Sequence, residues 1–149
     1  MQDQKKEEPD EINDAGTLVA ILKTLRLRIE IQNESEDKIQ FFAYLKDTGE
    51  YAAKAELELD TRFYGKTGRV AYDVALTRAG NGFATELLRA VIAYAYSDLG
   101  LVSLSGVAAE NNLADQYILQ RTGFVFNDKL EDDQLLFEAW NPRFQTLRE

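Results

Sequence analysis

An alternating segment that runs into two closely spaced glycines and then into a helical pattern constrains this chain more than any other stretch. Val70 to Thr77 alternates apolar and polar residues and predicts a strand, and Ala79-Gly80-Asn81-Gly82-Phe83-Ala84-Thr85 follows it. Phe83, Leu87, Leu88, Val91, Ile92 and Ala95 then recur at helical spacing. The first N–H groups of a helix have no intrahelical partner, and the macrodipole adds partial positive charge there. A glycine-rich turn at that end is a place for an anion, most naturally a phosphate. Glycines between strand and helix also serve close packing alone, so the turn by itself leaves both readings open.

Two familiar phosphate loops do not fit. A Walker A loop ends in Gly-Lys-Ser/Thr, which this stretch lacks. A dinucleotide fingerprint needs an acid at the end of the following strand, whereas Leu101 to Val107 carries none.

Before this centre, Leu25, Leu27, Ile29 and Ile31 alternate with Arg26, Arg28, Glu30 and Gln32. Ile39, Phe41, Ala43 and Leu45 alternate with Gln40, Phe42, Tyr44 and Lys46, and Ala55, Leu57 and Leu59 with Lys54, Glu56, Glu58 and Asp60. Three strands with one wet face follow, joined by polar turns at 33–37 and 47–50. The run Leu18-Val19-Ala20-Ile21-Leu22 is too short for periodicity to decide, and 16–24 leans to helix.

Beyond the centre, a helix over about 82–99 is capped by Gly100, and 101–107 reads as a buried strand. A second helix over about 111–122 ends at Gly123, and 124–127 and 134–140 close as a strand pair before Pro142. The expected fold class is α/β, a mixed and mainly antiparallel sheet of about seven strands.

With 149 residues the chain suits one domain, over 15–149, behind an acidic, flexible tail at 1–14. The absence of cysteine and histidine excludes disulfides, thiol nucleophiles, Ser-His triads and ordinary zinc sites, so no metal is expected. A formal charge of -9 disfavours nucleic acid as a partner and suits an amine or a basic peptide. No secretory signal or membrane-length apolar run is present, so a cytoplasmic location is expected.

The whole segment from Val70 to Phe124 resembles the GNAT family of acyl-CoA-dependent N-acetyltransferases. That family follows a strand with Gln/Arg-x-x-Gly-x-Gly/Ala, a helix, a strand, an Asn-containing helix and a Gly-Phe. Here the pattern stands as Ala79-Gly80-Asn81-Gly82-Phe83-Ala84, Tyr94-Ala95-Tyr96, Leu99-Gly100-Leu101, Glu110-Asn111-Asn112-Leu113-Ala114 and Gly123-Phe124. The closest flavour is that of ribosomal-protein α-amine and spermidine acetyltransferases.

The resemblance implies that amides from Gly80, Asn81, Gly82, Phe83, Ala84 and Thr85 hold the pyrophosphate of acetyl-CoA. It implies that the strand edge at Tyr72, Asp73 and Val74 pairs with the pantetheine arm, and that Asn112 contacts the cosubstrate. Transfer in this family is direct to an amine, so no enzyme nucleophile is required.

Four departures stand out. The Gln/Arg that opens the loop is Ala79, with Arg78 displaced by one residue, and the tyrosine that serves as general acid falls at Leu119, leaving Tyr117 as the nearby phenol. The glutamate some members carry after the first helix is Val107, leaving Asp73 as the carboxylate of the central strand. Finally, between Ile31 and Ile39 there is room for a turn, where the family places two helices. Phe42 and Tyr44 are therefore expected on an uncovered face, as a homodimer contact or an open acceptor platform. The alternative to an enzyme is a GNAT-like module that binds acetyl-CoA or a protein partner without turnover.

Overall fold

The computed structural model describes residues 8–12, 18–60, 66–75 and 78–147. Its strands are β1 (Glu8–Ile12), β2 (Leu18–Lys23), β3 (Leu27–Ser35), β4 (Lys38–Leu45), β5 (Tyr51–Asp60), β6 (Thr67–Val74), β7 (Ser103–Ala109), β8 (Val125–Lys129) and β9 (Gln134–Trp140). Helices α1 (Phe83–Ser97) and α2 (Leu113–Arg121) flank β7, and a 3-10 helix, Pro142–Leu147, closes the described chain.

All nine strands form one sheet in the order β1-β2-β3-β4-β5-β6-β7-β9-β8, two more than the alternation predicts. The additions lie at the N-terminus. Leu18–Lys23, expected within a helix, is instead a strand paired antiparallel with β3, Ile21 opposite Glu30 and Leu22 opposite Ile29. Val19 and Ile21 on one face and Leu22 on the other are all buried, and burial on both faces removes the alternation that marks a strand. Glu8–Ile12 pairs with β2 at the sheet edge, so part of the expected tail is strand, while 1–7 and 13–14 lie outside the described residues.

Register explains where α1 sits. Phe41 lies opposite Ala55 and Ala43 opposite Ala53, so small side chains floor the centre of the sheet. Leu87, Leu88, Val91 and Ala95 pack into that floor, each of the larger ones contributing about 1.5 to 3 kcal/mol through burial. Tyr94 meets the Phe41 ring edge-on at 5.7 Å.

α2 packs on the same face. A Cβ on Gly106 would lie 2.9 Å from the Leu119 side chain and 3.5 Å from Val70, which stands opposite Leu57. Between β3 and β4 there is a tight turn, Ser35 opposite Lys38, in agreement with the expected absence of two helices. The other sheet face carries Arg28, Glu30, Phe42, Tyr44, Lys54, Glu56, Arg69 and Asp73 in register, and neither described helix covers it. Phe42 and Tyr44, expected to be exposed, are half-buried there, and the Tyr44 ring contacts Tyr51 at 6.0 Å.

Candidate functional site

The sheet changes character between β6 and β7. Every other described pair is antiparallel, but these two strands run parallel, joined by the α1 crossover, and pair from Thr67 opposite Ser103 to Val70 opposite Gly106. Beyond that point β7 continues alongside β9, with Val107 opposite Leu136, and the edge from Ala71 to Val74 has no partner on that side. An opening of about 620 Å³ results, lined by residues that include Tyr72, Val107, Asp115 and Leu119. It lies at the C-terminal ends of the parallel strands, where α/β sheets bind ligands.

The glycine turn stands at the same end. Gly80 and Gly82 both adopt left-handed backbone, φ 81° and 80°, a conformation that costs other residues about 1 to 2 kcal/mol. Gly82 is the N-cap of α1 and has no side chain to satisfy the first helical N–H groups. Nothing lies within 4 Å of a Cβ placed on Gly80, so that flank is open. Phe83 and Ala84 are buried and Thr85 half-buried, so these three residues offer backbone more than side chain. The Asn81 amide is turned back, donating to the Arg78 carbonyl at 3.3 Å.

The cation that the sequence suggests for this turn points elsewhere. Arg78 pairs with Glu50. Arg26, from the corner between β2 and β3, takes the place beside the glycines. Its guanidinium lies 4.2 Å over the Phe83 ring, donates from Nη1 to the Asn81 carbonyl at 3.0 Å, and donates from Nε to Glu86 at 2.7 Å. Glu86 is only 7% exposed and also accepts from the Arg26 backbone at 2.7 Å and from the Thr24 hydroxyl. Burial alone would raise this carboxyl, but the bonds from Thr24 and Arg26, with the guanidinium charge, outweigh it and hold it below its usual range.

Across the opening, Asn112 caps α2. Its Oδ1 accepts from the Asp115 N–H at 3.0 Å and its Nδ2 donates to the Asp115 carboxylate at 2.9 Å, so its side chain is engaged with its own helix. The Tyr72 hydroxyl lies 3.4 Å from Asp115 Oδ1, bridging β6 to α2. Burial, and then the Asp115 charge, push the Tyr72 phenol well above its ordinary value of 10.

The structure thus brings Tyr72 and Asp115 together at one opening, with Asn112 hydrogen-bonded to Asp115. Leu119, 1% exposed, fills the space over Gly106. Tyr117 lies on the outer face of α2, 58% exposed, where its hydroxyl accepts from Arg121 at 3.0 Å. It does not line the opening. Asp73 points to the sheet face away from the helices, opposite Lys54, and lines a recess of about 210 Å³ with Gln40, Glu56 and Tyr72. Arg26, Glu86 and Asp115 escape sequence reasoning: the first belongs to an alternation read as outward-facing, and the third carries as its one signal a place three residues after Asn112.

A family model described as an acetyltransferase (GNAT) domain matches residues 8–125. Among solved structures, a chimera of the spermidine N-acetyltransferase SpeG from Vibrio cholerae aligns with TM-score 0.68 at 16% identity, covering 76% of this chain and 71% of that one. A Bordetella pertussis protein described as a GNAT-family acetyltransferase aligns with TM-score 0.67 at 20% identity, over 80% of this chain and 98% of its own. The ribosomal-protein-S5-alanine acetyltransferase of Vibrio fischeri aligns with TM-score 0.65 at 18% identity, over 72% of this chain and 64% of that one. Identities this low carry the fold and not the acceptor. No curated protein matches the chain in sequence. Among the described residues no helix is long and apolar enough to cross a membrane, and no cluster of three His, Cys, Asp or Glu side chains could hold a metal.

Proposed function

The chain belongs to the GNAT acetyltransferase family, and from that premise we propose that it transfers an acetyl group from acetyl-CoA directly to a primary amine, either the α-amine of a peptide or protein or an amine of a small polyamine. The observation that carries this reading is the meeting of two features at one end of the sheet: the unpartnered β6 edge and the uncapped, glycine-flanked start of α1. An extended amide-bearing arm can add to a free strand edge while its phosphates meet helix N–H groups. The open flank of Gly80 and an opening of about 620 Å³ suit such a ligand.

In this reading the amides from Gly80 to Thr85 hold the pyrophosphate, and Tyr72, Asp73 and Val74 offer backbone groups to the pantetheine arm. Asn112 contributes through the capped start of α2. When bound, the cosubstrate supplies an activated acyl group whose C–S bond breaks as the C–N bond forms, leaving a thiolate. Tyr72 is the phenol that lines the opening. Held above pKa 10, it does not surrender its proton to an alkyl thiolate of pKa about 8.5, so its part is a hydrogen bond to the developing charge. Asp73 faces the opposite side, where its carboxylate attracts the ammonium form of the acceptor and takes part in its deprotonation. Tyr117, paired with Arg121, belongs at most to the rim.

Asp115 and Glu131 line this opening, the first engaged by Asn112 and Tyr72, and the position where some family members carry glutamate is Val107. Deprotonating an α-amine of pKa near 8 at pH 7 costs about 1.4 kcal/mol, against about 4.6 kcal/mol for a lysine-like amine. Holding donor and amine in register supplies about 7 to 11 kcal/mol, more than an acid or base adds. An α-amine is therefore the favoured acceptor, and the charge of -9 suits polyamines as well.

A second reading, a module that binds acetyl-CoA or a protein partner without turnover, draws on Ala79, Val107 and Leu119, which stand where family members carry the loop Gln/Arg, a glutamate and the general-acid tyrosine. Thiol release from acetyl-CoA in the presence of peptides with free N-termini, spermidine and lysine separates the two. Turnover with an amine supports the enzyme. Saturable acetyl-CoA binding without turnover supports the module, and the absence of both overturns each.

A further inference from the structure

We infer that Arg26 is the positioning residue of the phosphate loop, acting from behind the loop through its geometry rather than as a charge on the ligand. The inference rests on the acetyl-CoA reading above and goes beyond it, since Arg26 lies outside the loop motif, whose opening Gln/Arg position is Ala79 in this chain.

The corner that carries Arg26 is fixed from several sides. The Thr24 N–H donates to the Leu27 carbonyl at 2.9 Å, the Leu27 N–H donates to the Thr24 hydroxyl at 3.2 Å, and the Lys46 N–H donates to the Arg26 carbonyl at 2.9 Å. One carboxylate, Glu86 from the first turn of α1, grips both the Arg26 N–H and its Nε at 2.7 Å. The β2–β3 corner and the start of α1 thus form one unit, although the residues lie 60 positions apart.

From this anchor the guanidinium stacks on Phe83 and donates to the Asn81 carbonyl. A trans peptide unit points its C=O and N–H in opposite directions. Turning the Asn81 carbonyl toward Arg26 therefore turns the Gly82 N–H away from it, to the ligand side of the loop. A Cβ placed on Gly82 would stand 3.4 Å from Arg26 Nη2, which puts the guanidinium directly beside the loop. The nearby Glu86 charge offsets that of Arg26, so what the pair delivers is orientation. Lysine has the charge but neither the planar fork nor the stacking face.

The test compares the wild-type protein with Arg26→Lys and Arg26→Gln, using CoA and pantetheine, which lacks the phosphates, as ligands. Both variants are expected to raise the CoA Kd at least tenfold, leave the pantetheine Kd within twofold, and leave the slope of CoA affinity against salt unchanged. Retained CoA affinity in Arg26→Lys overturns the inference, because charge alone would then suffice. Equal weakening toward both ligands overturns it too, as a general structural defect. Should Arg26→Gln not fold, Arg26→Lys and the CoA-induced shift of the wild-type Gly82 amide resonance carry the test, and an unmoved amide overturns the inference. If the wild-type protein binds no CoA, the acetyl-CoA reading itself fails, an outcome distinct from unaltered binding by the variants.

Discussion

The Tyr72 hydroxyl stands 3.4 Å from the Asp115 carboxylate, and it thereby spans the gap where β6 and β7 part. A contact of that length is weak, so it can be exchanged for a ligand atom at small cost. Tyr72→Phe is expected to move the thermal midpoint by the equivalent of less than about 1 kcal/mol. Turnover of acetyl-CoA should fall about 10²-fold, the lower end of what one hydrogen-bond donor aimed at a developing charge supplies. Steady-state kinetics beside a thermal melt checks both, and unchanged turnover removes Tyr72 from the reaction.

Glu86 contributes stability that acid removes. Its carboxyl titrates near 4.5 in the unfolded chain and lower in the folded one, so the folded state binds fewer protons in between. The stabilisation is complete above about pH 4.5 and is lost as pH falls through the folded value. Glu86→Gln is expected to cost about 1.5 to 3 kcal/mol at pH 7 and to flatten that acid slope. Urea midpoints measured from pH 7 to 3 give both numbers.

Tyr96 behaves in the opposite sense. Among the described residues its hydroxyl has no hydrogen-bond partner, and burial pushes its phenol up to about 12. The unfolded chain ionises near 10 while the folded one stays protonated, so stability declines as pH rises from 10 to 12. Tyr96→Phe removes that decline and, by deleting an unpaired polar atom, raises stability at pH 7 by about 1 kcal/mol. Denaturant midpoints at pH 7 and pH 11 decide it.

Gly106 determines how closely α2 approaches the sheet. With a Cβ only 2.9 Å from Leu119, Gly106→Ala is expected to cost about 1 to 3 kcal/mol. Pairing it with Leu119→Val should recover part of the loss, an interaction energy of at least about 0.5 kcal/mol in a double-mutant cycle. Additive losses would place the strain elsewhere.

Where one face of an element is wet, the sequence announces it. The alternations around Ile29, Phe41 and Leu57 mark β3, β4 and β5, and the Leu87 to Ala95 stripe marks α1. β2 is silent because Val19, Ile21 and Leu22 are buried on both faces, so no polar residue beats time between them. Leu25, which extends the β3 alternation on paper, is 75% exposed in the corner before that strand. The loop glycines are legible because left-handed backbone demands them. Arg26 is not, since its partners Asn81, Phe83 and Glu86 become neighbours only when the sheet has placed α1. Likewise Tyr117 reads as a candidate by chain position, while the helical turn carries it to the outer face beside Arg121.

The tight turn between β3 and β4 also shapes how the molecule assembles in time. From β1 to β6 each strand pairs with its sequence neighbour, a meander of short-range contacts that needs little loop closure. The β6–β7 junction is different: it requires the α1 crossover and rests on only four residue pairs, Thr67 to Val70 against Ser103 to Gly106. Folding should therefore finish at this seam, and hydrogen exchange at β7 amides should report openings cheaper than global unfolding. The ligand opening sits on the last joint to close, so a bound arm along β6 would act as the missing strand and slow that exchange.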